Sequence, residues 1–289
     1  MGTEGRFVYR QCSECSSLWQ PDPPAELAPF YGDGYYSMGE NRDPVTRSPA
    51  RSALVAGLLR MPPAAIDTWS HRATFKPQLV QWLAGIATQR SKIADVGSGE
   101  GVLIRKMARF GFQDLWGIDP FISGDLDEGP VHLRRAVIEE IDASFDVVMM
   151  NHALEHVPDP LATLEAVRSR LEPGGAAFIR IPIVAWAWTE YGTNWVGLDP
   201  PRHLTVPSEH GMRRLAARAG FRVERVFYDS YPLQFWGSER YRRGIPLVAQ
   251  PPADVSTHER AMARAWARRS RSLNRGRQGD SAGFVLRVA

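Results

Sequence analysis

The fold of this 289-residue chain is decided by one stretch, Lys92-Ile-Ala-Asp-Val-Gly-Ser-Gly-Glu-Gly-Val-Leu-Ile-Arg-Lys-Met-Ala-Arg-Phe110. Its apolar first residues, which end at Val96, have the length of a buried strand. Gly97, Gly99 and Gly101 follow, and glycine permits both a positive φ and the close approach of a ligand to the backbone. Apolar residues then recur at helical spacing. The stretch therefore predicts a strand, a tight turn and a helix whose first N–H groups face a ligand.

Two carboxylates, together with the residue after the last glycine, indicate which chemical class of ligand the glycine turn binds. Asp95 lies two residues before the first glycine, where it suits a ligand with a positive amino group and would repel a pyrophosphate. Val102 stands where the dinucleotide fingerprint G-x-G-x-x-G has its third glycine, which argues against a nicotinamide-dependent oxidoreductase. Asp119 ends a second short strand, and a carboxylate at that place accepts hydrogen bonds from both hydroxyls of a ribose.

These residues resemble the glycine-rich motif and the acidic strand-2 motif of class I S-adenosylmethionine-dependent methyltransferases. The resemblance implies an α/β, Rossmann-like sheet of seven strands in the order 3-2-1-4-5-7-6. It also implies a methyl-transferring enzyme with S-adenosyl-L-methionine as cofactor and S-adenosyl-L-homocysteine as its product. The residues that it places around the cofactor are Asp95, Gly97, Ser98, Gly99, Gly101, Ile118, Asp119, Pro120, Ile138, Glu139, Asn151 and His152.

A second block carries the same resemblance, Phe145-Asp-Val-Val-Met-Met-Asn-His-Ala-Leu-Glu-His-Val-Pro-Asp-Pro160. Its apolar run predicts the fourth strand, at whose tip Asn151 and His152 would lie beside the sulfonium. His156 is expected to hold the following loop through hydrogen bonds. Asp159 predicts a helix N-cap, with a proline at the first helical position.

The resemblance predicts two units. Residues 1–69 form an N-terminal arm, in which a tyrosine-rich segment with Tyr36 either lies over the cofactor site or packs on the core. Residues 70–289 form the catalytic domain, which begins with a helix over residues 70–86 and carries an insert at residues 230–281. The last strand is expected to be antiparallel and to lie between the fifth and sixth strands.

The amino-acid composition limits the class of protein to which the chain could belong. The chain is 44% hydrophobic and 23% charged, with a net charge of +3, as in an ordinary globular enzyme. No signal peptide or membrane-spanning stretch is recognisable, and two cysteines do not make a disulfide scaffold, so the expected location is the cytoplasm. The sequence leaves the oligomeric state open.

Cys12-Ser-Glu-Cys15 has the spacing of half a zinc site. A structural zinc ion normally takes four ligands, and the chain has no second pair of cysteines. The motif also resembles the second half of a zinc ribbon found in some members of this methyltransferase group. We expect an unmetallated turn, and the sequence predicts no metal site.

Methyl transfer to a hydroxyl or an activated carbon requires a base, and histidine has a suitable pKa. His203, in a proline-rich loop after the fifth strand, is the first candidate and His152 is the second. Arg202 is either a clamp for an anionic group of the substrate or an ion-pair partner of Asp199. The residues predicted to face the substrate are Tyr36, Tyr191, Trp195, Arg202, Gln234 and Glu239.

The sequence predicts methyl transfer to a small molecule, such as a sugar, a nucleotide sugar or a secondary metabolite. An RNA methyltransferase is the alternative, because Arg260, Arg264, Arg268 and Arg271 share one helical face in the insert. No stacking aromatics accompany them, so a solvated face is the preferred explanation and nucleic acid is not an expected partner. A module that binds the cofactor without catalysis is the third hypothesis.

Overall fold

A computed structural model describes residues 5–30, 48–63, 65–66, 78–247 and 257–289 of the chain. Tyr36 and the first part of the helix predicted over residues 70–86 lie outside these residues. The strands are β1 (Arg10–Gln11), β2 (Leu18–Trp19), β3 (Lys92–Val96), β4 (Asp114–Ile118), β5 (Leu126–Glu128), β6 (Val131–Arg134), β7 (Phe145–Asn151), β8 (Leu171–Pro182), β9 (Thr205–Val206), β10 (Phe221–Tyr228) and β11 (Ser281–Val288).

The α-helices of the described residues are α1 (Pro49–Leu59), α2 (Gln78–Leu83), α3 (Val102–Arg109), α4 (Pro160–Ser169), α5 (Trp186–Tyr191), α6 (Glu209–Arg218), α7 (Leu233–Arg242) and α8 (Thr257–Arg275). Among them, no helix has the length and apolarity that crossing a membrane requires.

Eight strands form the main sheet, in the order β10-β11-β8-β7-β3-β4-β6-β5. The strands from β8 to β6 are parallel, and β11 runs antiparallel to both β8 and β10. The predicted α/β, Rossmann-like fold with its order 3-2-1-4-5-7-6 is therefore confirmed. The eighth strand, β5, pairs antiparallel with β6 at the sheet edge. It was not predicted because all three of its residues are exposed, so its sequence has no hydrophobic pattern that would indicate a strand.

The sheet is covered by helices on both faces, which explains the nearly continuous apolar runs of its strands. Successive residues of β3 illustrate this, since Ile93 and Ala94 are both fully buried but point to opposite faces. Ile93 packs in the core cluster that includes residues of α1, α2 and α3. Ala94 packs in the cluster that includes residues of α4 and α6. Both helix layers thus hold the strand ends in fixed positions.

Local signals in the sequence set the helix starts next to the site. Gly101 precedes α3 with a φ of 81°, a left-handed conformation that glycine adopts without strain. The Asp159 carboxylate accepts hydrogen bonds from the first N–H groups of α4, and the Ser208 hydroxyl accepts one from the Gly211 N–H of α6. The Asp159 cap confirms the predicted start of α4.

A second, small sheet joins the N-terminal residues to the chain after β8. Its order is β1-β2-β9, and Leu18 pairs with Val206. Leu18 is 1% exposed and packs in an aromatic cluster with Tyr191 and Trp195. The β1-β2 hairpin, which belongs to the predicted N-terminal arm, therefore packs against the segment that follows β8. Strand β8 is the fifth strand of the predicted order.

Candidate functional site

The carboxyl ends of the parallel strands meet at one edge of the sheet, and the glycine turn lies there. The Gly97 N–H donates to the Ile118 carbonyl at 2.8 Å, which ties the turn after β3 to the end of β4. Gly97 has a φ of 77°, and a Cβ on it would lie 2.5 Å from the Ala153 Cβ. The turn therefore requires glycine, and it packs directly against the segment that follows β7.

Asp119 joins the turn to β4 through backbone hydrogen bonds. Its Oδ2 accepts from the Gly99 N–H and its Oδ1 accepts from the Phe121 N–H, each at 2.9 Å. The side chain is 7% exposed. Each carboxylate oxygen keeps a further acceptor position, so the pair can still bind two hydroxyls of a ribose.

Asp95 is buried beneath the same turn. Its Oδ1 accepts no hydrogen bond from any residue that the structure describes. Burial, together with the nearby charge of Asp119, raises the pKa of the Asp95 carboxyl to about 7. A buried carboxylate oxygen without a donor is costly, and a ligand ammonium group would supply that donor.

The other residues predicted to hold the cofactor lie along the same edge. Ser98 is buried, and its hydroxyl donates to the Gly99 carbonyl at 3.0 Å. Pro120 follows Asp119 directly. Ile138 is buried and Glu139 is exposed in a 3₁₀ helix beyond β6.

At the tip of β7, His152 has a φ of 56°, an unusual conformation for a non-glycine residue. Its Nδ1 lies 3.0 Å from Oε1 of Glu155, and its Nε2 contacts Nη1 of Arg180. Because a guanidinium can only donate, Nε2 is the acceptor and Nδ1 carries the proton. His152 and Glu155 therefore form a histidine–carboxylate dyad at the tip of β7.

Glu155 is the centre of this part of the site. It is fully buried, which alone would raise its pKa, but the hydrogen bond from His152 and the nearby imidazoles of His156 and His203 lower that pKa to about 2. The Glu155 carbonyl also accepts from the Leu204 N–H at 2.7 Å. The loop with His203 is thereby attached to the loop after β7.

Two further histidines, His156 and His203, lie close to the Glu155 carboxylate. Nδ1 of His156 lies 2.9 Å from the Arg202 carbonyl, and burial lowers the pKa of His156 to about 4. Nδ1 of His203 lies 2.9 Å from the Gly197 carbonyl, and its Nε2 lies 4.0 Å from Glu155 Oε1. The rings are 4.8 Å apart between centroids.

Arg180 of β8 completes a polar cluster whose other members are His152, Glu155, His156 and His203. Its Nε donates to Asp229 Oδ2 at 2.6 Å, and its Nη1 donates to Asn151 Oδ1 at 3.4 Å. The Arg180 and Asp229 side chains are 6% and 7% exposed. This buried ion pair fixes the guanidinium next to His152.

Apart from Tyr36, which lies outside the described residues, the residues predicted to face the substrate have side chains that are hydrogen-bonded within the protein. The Tyr191 hydroxyl donates to Glu239 at 3.2 Å, and Trp195 is fully buried with its Nε1 donating to Asp280 at 2.9 Å. Gln234 is also buried, and its amide donates to Ser270 at 3.3 Å. Arg202 makes the ion pair with Asp199 that the sequence left as one of two alternatives, at 2.5 Å.

Sequence reasoning missed Glu155, Arg180 and Asp229. Glu155 stands between two histidines in the quoted block, and that spacing is its only local signal. Arg180 is the one charged residue in the buried part of β8, residues 175–182, and a charge inside a buried strand indicates a partner elsewhere in the chain. The partner, Asp229, is 49 residues away, so no local pattern links the two.

Comparisons with known proteins agree with this geometry. A family model described as "Methyltransferase domain" matches residues 68–226, more than half of the chain. The chain is 32% identical over 194 residues to a ubiquinone biosynthesis O-methyltransferase of Nitrosospira multiformis, a match that covers 56% of this chain and 79% of the relative. It is 30% identical over 138 residues to the Pseudomonas aeruginosa protein of the same name, covering 38% of this chain and 56% of that protein.

The residues at the strand ends fit the cofactor of this family. The glycine turn leaves no room for a side chain at Gly97, Asp119 offers acceptors for a ribose, and Asp95 has a buried oxygen without a donor among the described residues. The chain belongs to the class I S-adenosylmethionine-dependent methyltransferases and is an enzyme of that family.

Proposed function

We propose that this enzyme methylates a hydroxyl group of a small aromatic molecule, with His152 as the general base. The relatives named above are O-methyltransferases of ubiquinone biosynthesis, which supports oxygen as the methylated atom and a quinone precursor as the class of acceptor. The observation that carries the proposal is the His152–Glu155 dyad, because it holds an oriented imidazole at the tip of β7, and the next residue, Ala153, packs against Gly97 of the glycine turn.

In the proposed mechanism Nε2 of His152 accepts the proton of the acceptor hydroxyl. The tautomer is suited to this, because Nδ1–H donates to Glu155 and leaves the lone pair on Nε2. Glu155 remains ionised, so it stabilises the imidazolium that forms. Arg180 Nη1 donates to that lone pair in the structure, so the acceptor hydroxyl has to displace this contact; the guanidinium then donates to the acceptor oxygen and stabilises the negative charge that develops there.

The protein also has to align the acceptor hydroxyl with the methyl group of S-adenosylmethionine. S-adenosylmethionine supplies a methyl group on a sulfonium, which is already a strong electrophile. We assign its ribose to Asp119, its ammonium group to Asp95 and its amino-acid part to the turn at Gly97, Gly99 and Gly101. Alignment of this kind can supply about 7–11 kcal/mol of barrier lowering.

Cofactor affinity is expected to depend on pH through Asp95. The pKa of about 7 in the free protein lies above the ordinary value, so Asp95 is largely protonated below that pH and ionised above it. An ammonium ligand favours the ionised form. The affinity for S-adenosylhomocysteine is therefore expected to rise up to about tenfold per pH unit until about pH 7 and then to level off.

Isothermal titration between about pH 6 and about pH 8 measures this dependence. The matched control is Asp95→Asn, which is expected to bind more weakly and with an affinity that no longer changes with pH. An unchanged pH dependence in Asp95→Asn would assign the titrating group elsewhere.

The function itself is tested with a panel of acceptors and labelled S-adenosylmethionine. Simple phenols and catechols, nucleotide sugars and RNA are compared, and products are identified by mass spectrometry. We expect a methyl ether of a phenolic acceptor. Turnover of nucleotide sugars or RNA without any phenol turnover would replace the proposed acceptor, and cofactor binding without turnover of the whole panel would favour the non-catalytic hypothesis.

A further inference from the structure

Three side chains next to the proposed base have the composition of a metal site. Glu155, His156 and His203 each place one possible ligand atom within 4.8 Å of the others. Glu155 and His156 belong to the 3₁₀ helix after β7, whereas His203 belongs to the loop before β9. Two imidazoles and one carboxylate are a common ligand set of zinc sites that keep an open position.

Both imidazoles are oriented as metal-binding histidines usually are. Nδ1 of His156 faces the Arg202 carbonyl and Nδ1 of His203 faces the Gly197 carbonyl, each at 2.9 Å. A carbonyl can only accept, so each Nδ1 carries the proton and the lone pair of the neutral ring lies on Nε2. Backbone carbonyls fix the tautomer of metal-binding histidines in the same way.

The carboxylate between them has an unsatisfied oxygen. Glu155 is fully buried, and its Oε2 accepts no hydrogen bond from the described part of the chain. Nε2 of His203 lies 4.0 Å from Glu155 Oε1 and 3.7 Å from Asp199 Oδ2, and both distances are too long for hydrogen bonds. His203 and Glu155 thus present acceptors to each other, and a cation between them would satisfy both.

We propose that Glu155, His156 and His203 bind one divalent ion of the zinc type. Three protein ligands leave one position for water or another oxygen ligand. Glu155 can serve both partners, because Oε1 accepts from His152 while Oε2 remains for the ion. The sequence predicted no metal because its single cysteine pair offers only half of a zinc site, and this cluster contains no cysteine.

The test uses the full-length chain with Cys12→Ser and Cys15→Ser, so that the cysteine pair cannot bind zinc. After treatment with a chelator, the protein is titrated with Zn²⁺ by calorimetry and with Co²⁺ by visible absorption. We expect one ion per chain with a Kd below about 10 μM. The Co²⁺ complex should show the intense bands of a four-coordinate nitrogen and oxygen site, without thiolate charge transfer.

In the same background, His203→Gln and Glu155→Gln are expected to weaken zinc binding at least about 100-fold. The matched control is His132→Gln, on the edge hairpin, which should bind zinc like the parent. Absence of stoichiometric binding by the folded parent, or equal binding by a folded His203→Gln variant, would overturn the proposal. Circular dichroism establishes folding, and metal binding is read without substrate, so the outcome is separate from that of the proposed methyl transfer.

Discussion

His152→Gln is expected to lower kcat for methyl transfer by about 10²–10⁴-fold, the contribution usual for a positioned general base. Glutamine keeps a polar side chain of similar reach but cannot accept the proton. Asp95 and Asp119 are unchanged, so the affinity for S-adenosylhomocysteine should stay close to that of the parent. Steady-state kinetics with the acceptor found in the panel, together with calorimetry, measure the two quantities separately.

The control for this prediction is His210→Gln, because His210 is exposed on α6 and lies outside the polar cluster. It should have the parental kcat. Glu155→Gln is expected to reduce kcat through His152, whose tautomer Glu155 fixes, and to shift the pH profile of kcat. A large loss of kcat in His203→Gln combined with parental kcat in His152→Gln would restore His203 as the base.

Asp229→Ala is expected to destabilise the protein by about 3–5 kcal/mol, because it leaves the buried Arg180 guanidinium without its partner. Asp229 accepts hydrogen bonds from Arg180, from Ser281 at 2.9 Å and from Gln78 at 3.0 Å. Denaturant unfolding followed by circular dichroism measures the change.

Low pH is expected to remove the stabilisation that the Arg180–Asp229 ion pair gives to the folded protein. Burial raises the pKa of Asp229, but the charge of Arg180 and the hydrogen bonds outweigh it and lower the pKa overall. The stabilisation is therefore complete above the ordinary carboxyl pKa and is lost as pH falls through the folded value. Asp127→Ala is the control, since that carboxylate is 61% exposed in its ion pairs and should change stability little. Equal effects of both variants would contradict the ion-pair account.

The parts of the fold that the sequence predicted depend on residues close together in the chain. The glycine turn requires positive φ at Gly97, Gly99 and Gly101, and the structure has it at all three. The predicted cap at Asp159 likewise acts within three residues. The strand order came from the family resemblance, which explains why the unpredicted strand is β5, an addition at the sheet edge.

The polar cluster could not be predicted in the same way, because its contacts join distant parts of the chain. His203 is adjacent to Glu155 only because the loop before β9 returns to the tip of β7, through the Leu204 N–H to Glu155 carbonyl bond. The role of the arginine-rich helix also depends on packing. Arg269 lies over the Trp186 ring, 4.4 Å from its centroid, and it is exposed like Arg264, Arg268 and Arg271, for which no such ring contact is found among the described residues.

The cofactor site is tested most directly by titrating S-adenosylhomocysteine into the parent and into Asp119→Ala by calorimetry. We expect the parent to bind one molecule per chain. Losing two charge-assisted hydrogen bonds to the ribose should weaken binding at least about 100-fold in a variant that still folds. Asp127→Ala, which removes an exposed carboxylate, should bind like the parent. Absence of binding by the parent, or equal affinity in Asp119→Ala, would contradict the assignment of the cofactor to this turn.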